Sequence, residues 1–192
     1  MAMNARSTPL SGLTWQEFLD LPEEMRHTEL VDGEIVVTAP SDLHQRVVIQ
    51  LATHLNIWIW GGTGRGETTL EPAVQIAEKT GYLPDIAWYR QDQCAPPGQP
   101  PAFDGPPSLV VEVLSPSTRA FVKVRKRNDY ARVGVRELWL IDPEIPEALI
   151  ARAPDDGRAG VLVDVADLDR DGALHSPLLP GFSVRLGDLI ER

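Results

Sequence analysis

The fold is decided by a six-residue stretch, LVVEVL, at positions 109–114. Five of these residues are apolar, a pattern typical of a β-strand that is covered on both faces. The exception is Glu112, and an unpaired carboxylate in such a strand is costly. The stretch therefore predicts a central strand whose acid is paired with a cation, binds a metal ion or sits at the exposed end of the sheet.

The segments on either side of this strand predict a mixed sheet flanked by helices. Residues 115–118 (SPST) break the strand and cap a basic helix that extends to Gly134, and residues 138–141 (LWLI) form a second buried strand. Before the central strand, apolar residues recur at helical spacing from Leu43 to about Trp60. Two strand-like runs, 70–76 and 82–89, follow that helix. Helices on a mostly buried mixed sheet are a natural layered arrangement of the α/β (α+β) class.

The ends of the chain predict smaller elements. A capping box at 14–17 (TWQE) opens a short helix, and Asp32-Gly33 between two apolar runs indicates a hairpin. The last part, 148–192, alternates short strands with turns and is expected to be antiparallel. We expect a single domain over 1–192, with the helix and hairpin at 14–38, a core at about 42–143 and extra C-terminal strands at 148–186.

Composition excludes several classes of protein. The chain has 192 residues, 43% of them apolar and 24% charged, which is typical of a globular domain with one core. No run is apolar enough to span a bilayer or to act as a secretion signal. Cys94 is the only cysteine, so an intrachain disulfide and a cysteine-based zinc site are excluded. We expect a cytoplasmic protein with no membrane partner.

Charge is distributed unevenly along the chain. The formal net charge is −10, yet the segment 119–136 contains seven basic residues and only one acid. Such a segment could contact a phosphate backbone, or it could be a solvated helix face that pairs with acids elsewhere on the surface. The candidate nucleic-acid contacts are Arg119, Lys123, Arg125 and Arg127.

A second acid stands near the start of the strand that precedes Glu112. Asp85 follows Pro84, and two carboxylates on adjacent strands can hold one Mg²⁺ because hard cations take oxygen ligands. Lys126, in the following helix, could place its ammonium near the pair. The alternative is a purely structural arrangement, in which Glu112 forms a buried ion pair with a lysine or arginine and Asp85 is a turn residue.

These residues also carry a resemblance to a known family. Pro84-Asp85, followed by Glu112 in a buried strand, is similar to the signature of the PD-(D/E)XK nuclease superfamily. More narrowly, the ordered segments between about Thr14 and Phe182 resemble a small-protein family of restriction-endonuclease-like domains. The segments that match are ELVDGE at 29–34, His44, Pro84-Asp85, LVVEVLSPST at 109–118, Lys126 to Tyr130 and LWLIDP at 138–143.

The resemblance implies a restriction-endonuclease-like fold and metal-dependent hydrolysis of DNA phosphodiester bonds. Mg²⁺ or Mn²⁺ would be held by Asp85, Glu112 and the backbone carbonyl of Val113. Lys126 would orient the attacking water or stabilise charge in the transition state. Two further catalytic candidates are Glu29 and His44.

The chain departs from the family pattern at two positions, which keeps two alternatives open. Leu114 stands where the superfamily has its lysine, while Lys126 matches a position to which that lysine has migrated; Val122 stands where many relatives have an acid. The first alternative is an inactive nuclease-fold protein that binds nucleic acid or a protein partner. The second is a structural or interaction protein with a buried Glu112–Lys126 ion pair. A homodimer would let two basic helices line one groove and offset the acidic body.

Overall fold

The computed structural model describes residues 12–22, 25, 28–37, 39–155 and 158–191. The chain forms two compact units. One consists of Met1–Ala39 with Ala73–Leu83, and the other consists of Pro40–Pro72 with Pro84–Arg192. That the chain acts as a single domain stays a prediction.

The helices and strands follow the sequence pattern closely in most places. The helices are α1 (Trp15–Leu19), α2 (Asp42–Trp60), α3 (Arg119–Phe121), α4 (Arg127–Val133) and α5 (Leu186–Ile190), with a π-helical segment at Val122–Lys126 and a 3₁₀ turn at Gln91–Gln93. The strands are β1 (Glu29–Val31), β2 (Glu34–Val36), β3 (Glu67–Leu70), β4 (Val74–Ala77), β5 (Thr80–Tyr82), β6 (Ile86–Tyr89), β7 (Leu109–Val113), β8 (Glu137–Asp142), β9 (Glu147–Arg152), β10 (Val163–Leu168), β11 (Ala173–Leu174) and β12 (Val184–Arg185).

The first unit is an antiparallel sheet with the strand order β2-β1-β5-β4 and one short helix. The expected hairpin is confirmed: Asp32 and Gly33 both have positive φ, 52° and 84°, as a tight two-residue turn between β1 and β2 requires. Trp15 of α1 packs against Leu30 in a small apolar core. A Cβ on Gly81 of β5 would lie 1.9 Å from the Trp15 ring, so only glycine fits there.

The second unit is built on a six-stranded mixed sheet with the order β10-β9-β8-β7-β6-β3. Only the β7–β8 pair is parallel, and its connection contains the helical segment 119–133, as a parallel crossover requires. Leu51 and Leu55 of α2 share a buried core with Val111 of β7 and Trp139 of β8. Side chains alternate along a strand, so Glu112 points to the opposite face of β7, towards the helical segment.

That helical segment is interrupted in the middle. Between α3 and α4 the backbone forms a π-helical turn over Val122–Lys126, and α4 ends at Val133, where Gly134 caps it with φ 102°. π-helical turns are rare and occur frequently at functional sites. The turn sets the direction in which the side chains of Lys126 and the residues after it leave the helix.

Two expected strands, 70–76 and 82–89, are wrong as single strands. The run 70–76 is two strands, because the chain turns between β3 and β4 at Glu71, whose φ is 46°, and at Pro72. The two strands also enter different sheets: β3 pairs with β6, and β4 pairs with β5. The run 82–89 is likewise divided, because β5 ends at Tyr82 and β6 begins at Ile86 in the other sheet. The mixed sheet flanked by helices and the antiparallel C-terminal strands are confirmed.

Candidate active site

Asp85 lies directly before β6 and opposite the end of β7. The antiparallel register pairs Ile86 with Val111, and one further step along it puts Asp85 opposite Glu112. The Val113 amide donates a hydrogen bond of 2.7 Å to Asp85 Oδ2. Asp85 is thus fixed to the residue that follows Glu112, and the register sets the backbones of the two predicted acids opposite each other at one end of β7.

His44 joins this end of the sheet from the first turn of α2. Ser41 caps the helix by accepting the His44 amide at 3.2 Å, and His44 Nε2 lies 3.2 Å from Asp85 Oδ2. Burial lowers the pKa of His44, but the neighbouring carboxylates of Asp85 and Glu112 outweigh it, so the net pKa is raised. The imidazole is 9% exposed, and its Nδ1 has no hydrogen-bond partner among the described residues.

Glu112 is held by two side chains from the helical segment. Lys126 Nζ donates to both carboxylate oxygens, at 3.0 Å and 3.1 Å, and the Tyr130 hydroxyl donates to Oε1 at 2.6 Å. Glu112 is 4% exposed and Lys126 is 5% exposed. Lys126 and Tyr130 are one helical turn apart, so both reach the same carboxylate. The ion pair expected by one of the alternatives is therefore present.

Glu29 belongs to the first compact unit. It is buried on β1, and its Oε1 accepts the Leu83 amide at 3.0 Å. The structure joins Asp85 to His44 and Glu112 to Lys126 at the end of β7, and the hydrogen bond that Glu29 accepts from Leu83 lies within its own unit. A role for Glu29 in catalysis stays a prediction.

The basic residues differ in how strongly they are already paired. Arg119 makes two hydrogen bonds to Asp142, at 2.5 Å and 3.0 Å, and Arg127 Nη2 lies 2.5 Å from Asp164. Lys123 makes no ion pair with any residue that the structure describes. The remaining candidate, Arg125, lies 3.7 Å from Asp129. Three of the four predicted nucleic-acid contacts therefore already have an acidic neighbour.

Sequence reasoning missed the hydrogen bond of Tyr130 and several buried acids, of which Glu137 is the least exposed. The Tyr130 hydroxyl donates to Glu112, and its spacing of four residues from Lys126 is the signal for a shared target. Glu137 begins the apolar strand β8 and is fully buried. The sequence feature that could have identified Glu137 is an acid in an apolar strand, the same feature that identifies Glu112.

The donor atoms at the end of β7 fit a hard cation. Two carboxylates, from Asp85 and Glu112, and the Val113 carbonyl are all oxygen ligands of the kind that Mg²⁺ takes while keeping several waters. Among the described residues no group of three or more His, Cys, Asp or Glu side chains could hold a metal ion. By donor type, two carboxylates and one carbonyl suit a hydrated magnesium-type ion better than a closed site made of side chains alone.

Comparisons with known proteins agree with this fold. Residues 15–187 match the model of the Uma2 family, described as "Putative restriction endonuclease". A crystal structure of "a putative nuclease belonging to DUF820 from Anabaena variabilis ATCC 29413" is similar with a TM-score of 0.74 and 20% identity, over 93% of this chain and 97% of that one. No curated protein matches. No helix in the described part of the chain is long and apolar enough to cross a membrane. Because the family model covers most of its length, the chain belongs to the Uma2 family.

Proposed function

We propose that this protein is a metal-dependent nuclease that hydrolyses phosphodiester bonds in DNA. The observation that supports the proposal is the arrangement at the end of β7: Asp85, opposite Glu112 in the register, accepts the Val113 amide, and Lys126 Nζ lies 3.0 Å from Glu112. Membership of the Uma2 family, described as "Putative restriction endonuclease", supports the same chemistry.

Each residue has a distinct role in this proposal. Asp85, Glu112 and the Val113 carbonyl hold Mg²⁺ or Mn²⁺, which when bound polarises the scissile phosphate and lowers the pKa of its water. Lys126 supplies a positive charge next to the reacting phosphoryl group. His44 Nε2, at 3.2 Å, holds Asp85 in its orientation. Glu29 is retained as a further carboxylate candidate.

DNA is the proposed partner, and Lys123 is its best-supported contact. Lys123 lies on the same helical segment as Lys126 and makes no ion pair within the described part of the chain. Arg119, Arg125 and Arg127 contribute to the extent that phosphates replace their acidic neighbours. With a net charge of −10, the protein gains from acting as a homodimer, which brings two basic segments to one duplex. The proposed location is the cytoplasm.

Cleavage of DNA by matched variants tests the proposal. Purified wild type is incubated with supercoiled and linear DNA in Mg²⁺ or Mn²⁺, beside Asp85→Asn and the control Asp188→Asn. Asp188 is a surface acid on α5 that pairs with Arg185, so its loss should leave cleavage unchanged. Asp85→Asn should lower the rate by about 10³-fold with the fold retained. Equal cleavage by wild type and Asp85→Asn would overturn the assignment.

A second candidate is a nuclease-fold protein that binds nucleic acid without cutting it. The observation that favours it is the engagement of both Glu112 oxygens by Lys126. This candidate predicts salt-dependent DNA binding that weakens when Arg125 and Arg127 are neutralised, with no cleavage by wild type under any metal condition. Cleavage that depends on Asp85 would exclude it.

A further inference from the structure

Glu112 has little free capacity to accept another ligand. A carboxylate offers about four acceptor directions, and three of them receive hydrogen bonds from Lys126 and Tyr130. Lys126 takes both oxygens at once, and it is nearly as buried as the glutamate itself. Any cation that binds Glu112 must therefore replace part of the Lys126 contact.

Because the Lys126 ammonium and a metal ion are both positively charged, they compete for the Glu112 carboxylate and do not bind it together. An ammonium about 3 Å from the carboxylate would stand close to any metal ion bound by Glu112, and like charges in a buried site repel strongly. Tyr130 differs from Lys126 because its hydroxyl is neutral and it binds one oxygen only. Of the two partners, Lys126 is the one whose charge opposes the metal ion.

We infer that Lys126 holds metal affinity down by competing for Glu112, and that its ammonium releases the carboxylate when a phosphate group of nucleic acid attracts it. The inference rests on the proposed function, because it takes Asp85 and Glu112 as the metal ligands. It adds a form of regulation: metal recruitment is coupled to the presence of an anionic substrate. The free protein then binds metal weakly although its oxygen ligands are already assembled.

Mn²⁺ binding to the full chain without nucleic acid tests the inference, with the free Mn²⁺ signal in electron paramagnetic resonance as the readout. The variants are Lys126→Met and Lys126→Gln, and the glutamine keeps a polar group at the buried position if the methionine variant fails to fold. We expect either folded variant to bind Mn²⁺ at least about tenfold more tightly than wild type. Circular dichroism and thermal melting check the fold of each protein.

Two controls separate the possible causes of a change. Lys123→Met removes the same charge from the same helical segment, but no contact between Lys123 and Glu112 exists in the described structure; its Mn²⁺ affinity should match that of wild type. The double variant Asp85→Ala with Lys126→Met should lose the tighter binding. Loss in the double variant would place the gain at the same site.

The outcomes distinguish failure of this inference from failure of the proposed function. Binding that depends on Asp85 but is unchanged or weaker in the folded Lys126 variants overturns the competition and leaves the metal site standing. No Asp85-dependent binding in any protein, including Lys126→Met, overturns both. Binding by Lys126→Met where wild type binds none supports the inference most strongly.

Discussion

Two glutamates are buried on the neighbouring parallel strands of the main sheet, and their surroundings differ. Glu137, at the start of β8, is 0% exposed and accepts hydrogen bonds from Trp139, Arg152 and Ser176, at 2.6, 2.7 and 2.8 Å. Glu112 lies near the other end of the pair, since the register sets Leu109 opposite Glu137. Both acids would be costly without partners.

The partners show why one acid is structural and the other is a candidate for chemistry. The neighbours of Glu137 come from β8, β9 and the segment after β11, and they connect two strands of the main sheet to that segment. Glu112 instead has a second carboxylate, Asp85, across the sheet and a raised-pKa imidazole, His44, beside that carboxylate. Burial of an acid therefore does not by itself indicate its role. The neighbouring residues show whether the acid is structural or a candidate for chemistry.

The largest expected effect is on the stability of a Glu112→Gln variant. The substitution leaves the Lys126 ammonium, 5% exposed, without its counter-charge. Breaking a buried pair in this way costs roughly 3–5 kcal/mol. Urea unfolding of wild type and variant measures the loss, and a change below about 1 kcal/mol would contradict the view that the pair is buried and strong.

A smaller loss is expected for Glu137→Gln. The Arg152 side chain stays 26% exposed, so water can solvate part of its charge, and glutamine can still accept hydrogen bonds. We expect a cost of about 2 kcal/mol in urea unfolding, with Mn²⁺ binding and DNA cleavage retained by the folded variant. Loss of Mn²⁺ binding in a folded Glu137→Gln protein would contradict the view that Glu137 is structural and that only Glu112 of the two acids binds metal.

Tyr130→Phe removes one neutral donor from Glu112 while Lys126 remains. The lost hydrogen bond of 2.6 Å to a charged oxygen is worth about 1.5 kcal/mol. Urea unfolding of the variant beside wild type gives the value. A cost equal to that of Glu112→Gln would mean that the hydroxyl, rather than the ammonium, carries the stability of the cluster.

The smallest expected effect is on DNA affinity. It is measured on two basic residues: Lys123, which has no described ion pair, and Arg119, which pairs with Asp142. Lys123→Ala should reduce the slope of log affinity against log salt by about 1, as loss of one phosphate contact does. Arg119→Ala should change it less, because Asp142 already neutralises the guanidinium. Titrations of labelled duplex at several salt concentrations measure both slopes. A larger change in slope for Arg119→Ala than for Lys123→Ala would show that Arg119 leaves Asp142 and binds the phosphate.

Much of the fold could be predicted from local patterns. The apolar run around Glu112, the helical spacing before Trp60 and the Asp32-Gly33 turn each specify an element by themselves. The break at Glu71 could not be predicted in this way, because an apolar-polar run through a proline remains compatible with one edge strand. Which sheet each half enters depends on partners far away in sequence.

For the site, the sequence predicts residue types and strand order, and the functional roles of these residues stay predictions. Asp85 and Glu112 are expected together because neighbouring strands bring their ends together, and the register sets Asp85 one step beyond the Ile86–Val111 pair, opposite Glu112. The hydrogen bond from Tyr130 to Glu112 could not be predicted from the sequence, because it depends on how the π-helical turn at Val122–Lys126 orients the residues that follow. The acidic partners of the arginines likewise come from distant segments such as β8 and β10.

The most direct test of the metal site is Mn²⁺ binding to wild type and to Asp85→Ala. Asp85 is a better ligand to remove than Glu112, because its loss leaves no buried lysine without its counter-charge. The variant should therefore keep its fold. We predict Asp85-dependent binding in the wild type that weakens at least about a hundredfold in the folded variant. Equal binding to wild type and Asp85→Ala, or no binding to wild type and to Lys126→Met alike up to millimolar Mn²⁺, would contradict a carboxylate metal site at the end of β7.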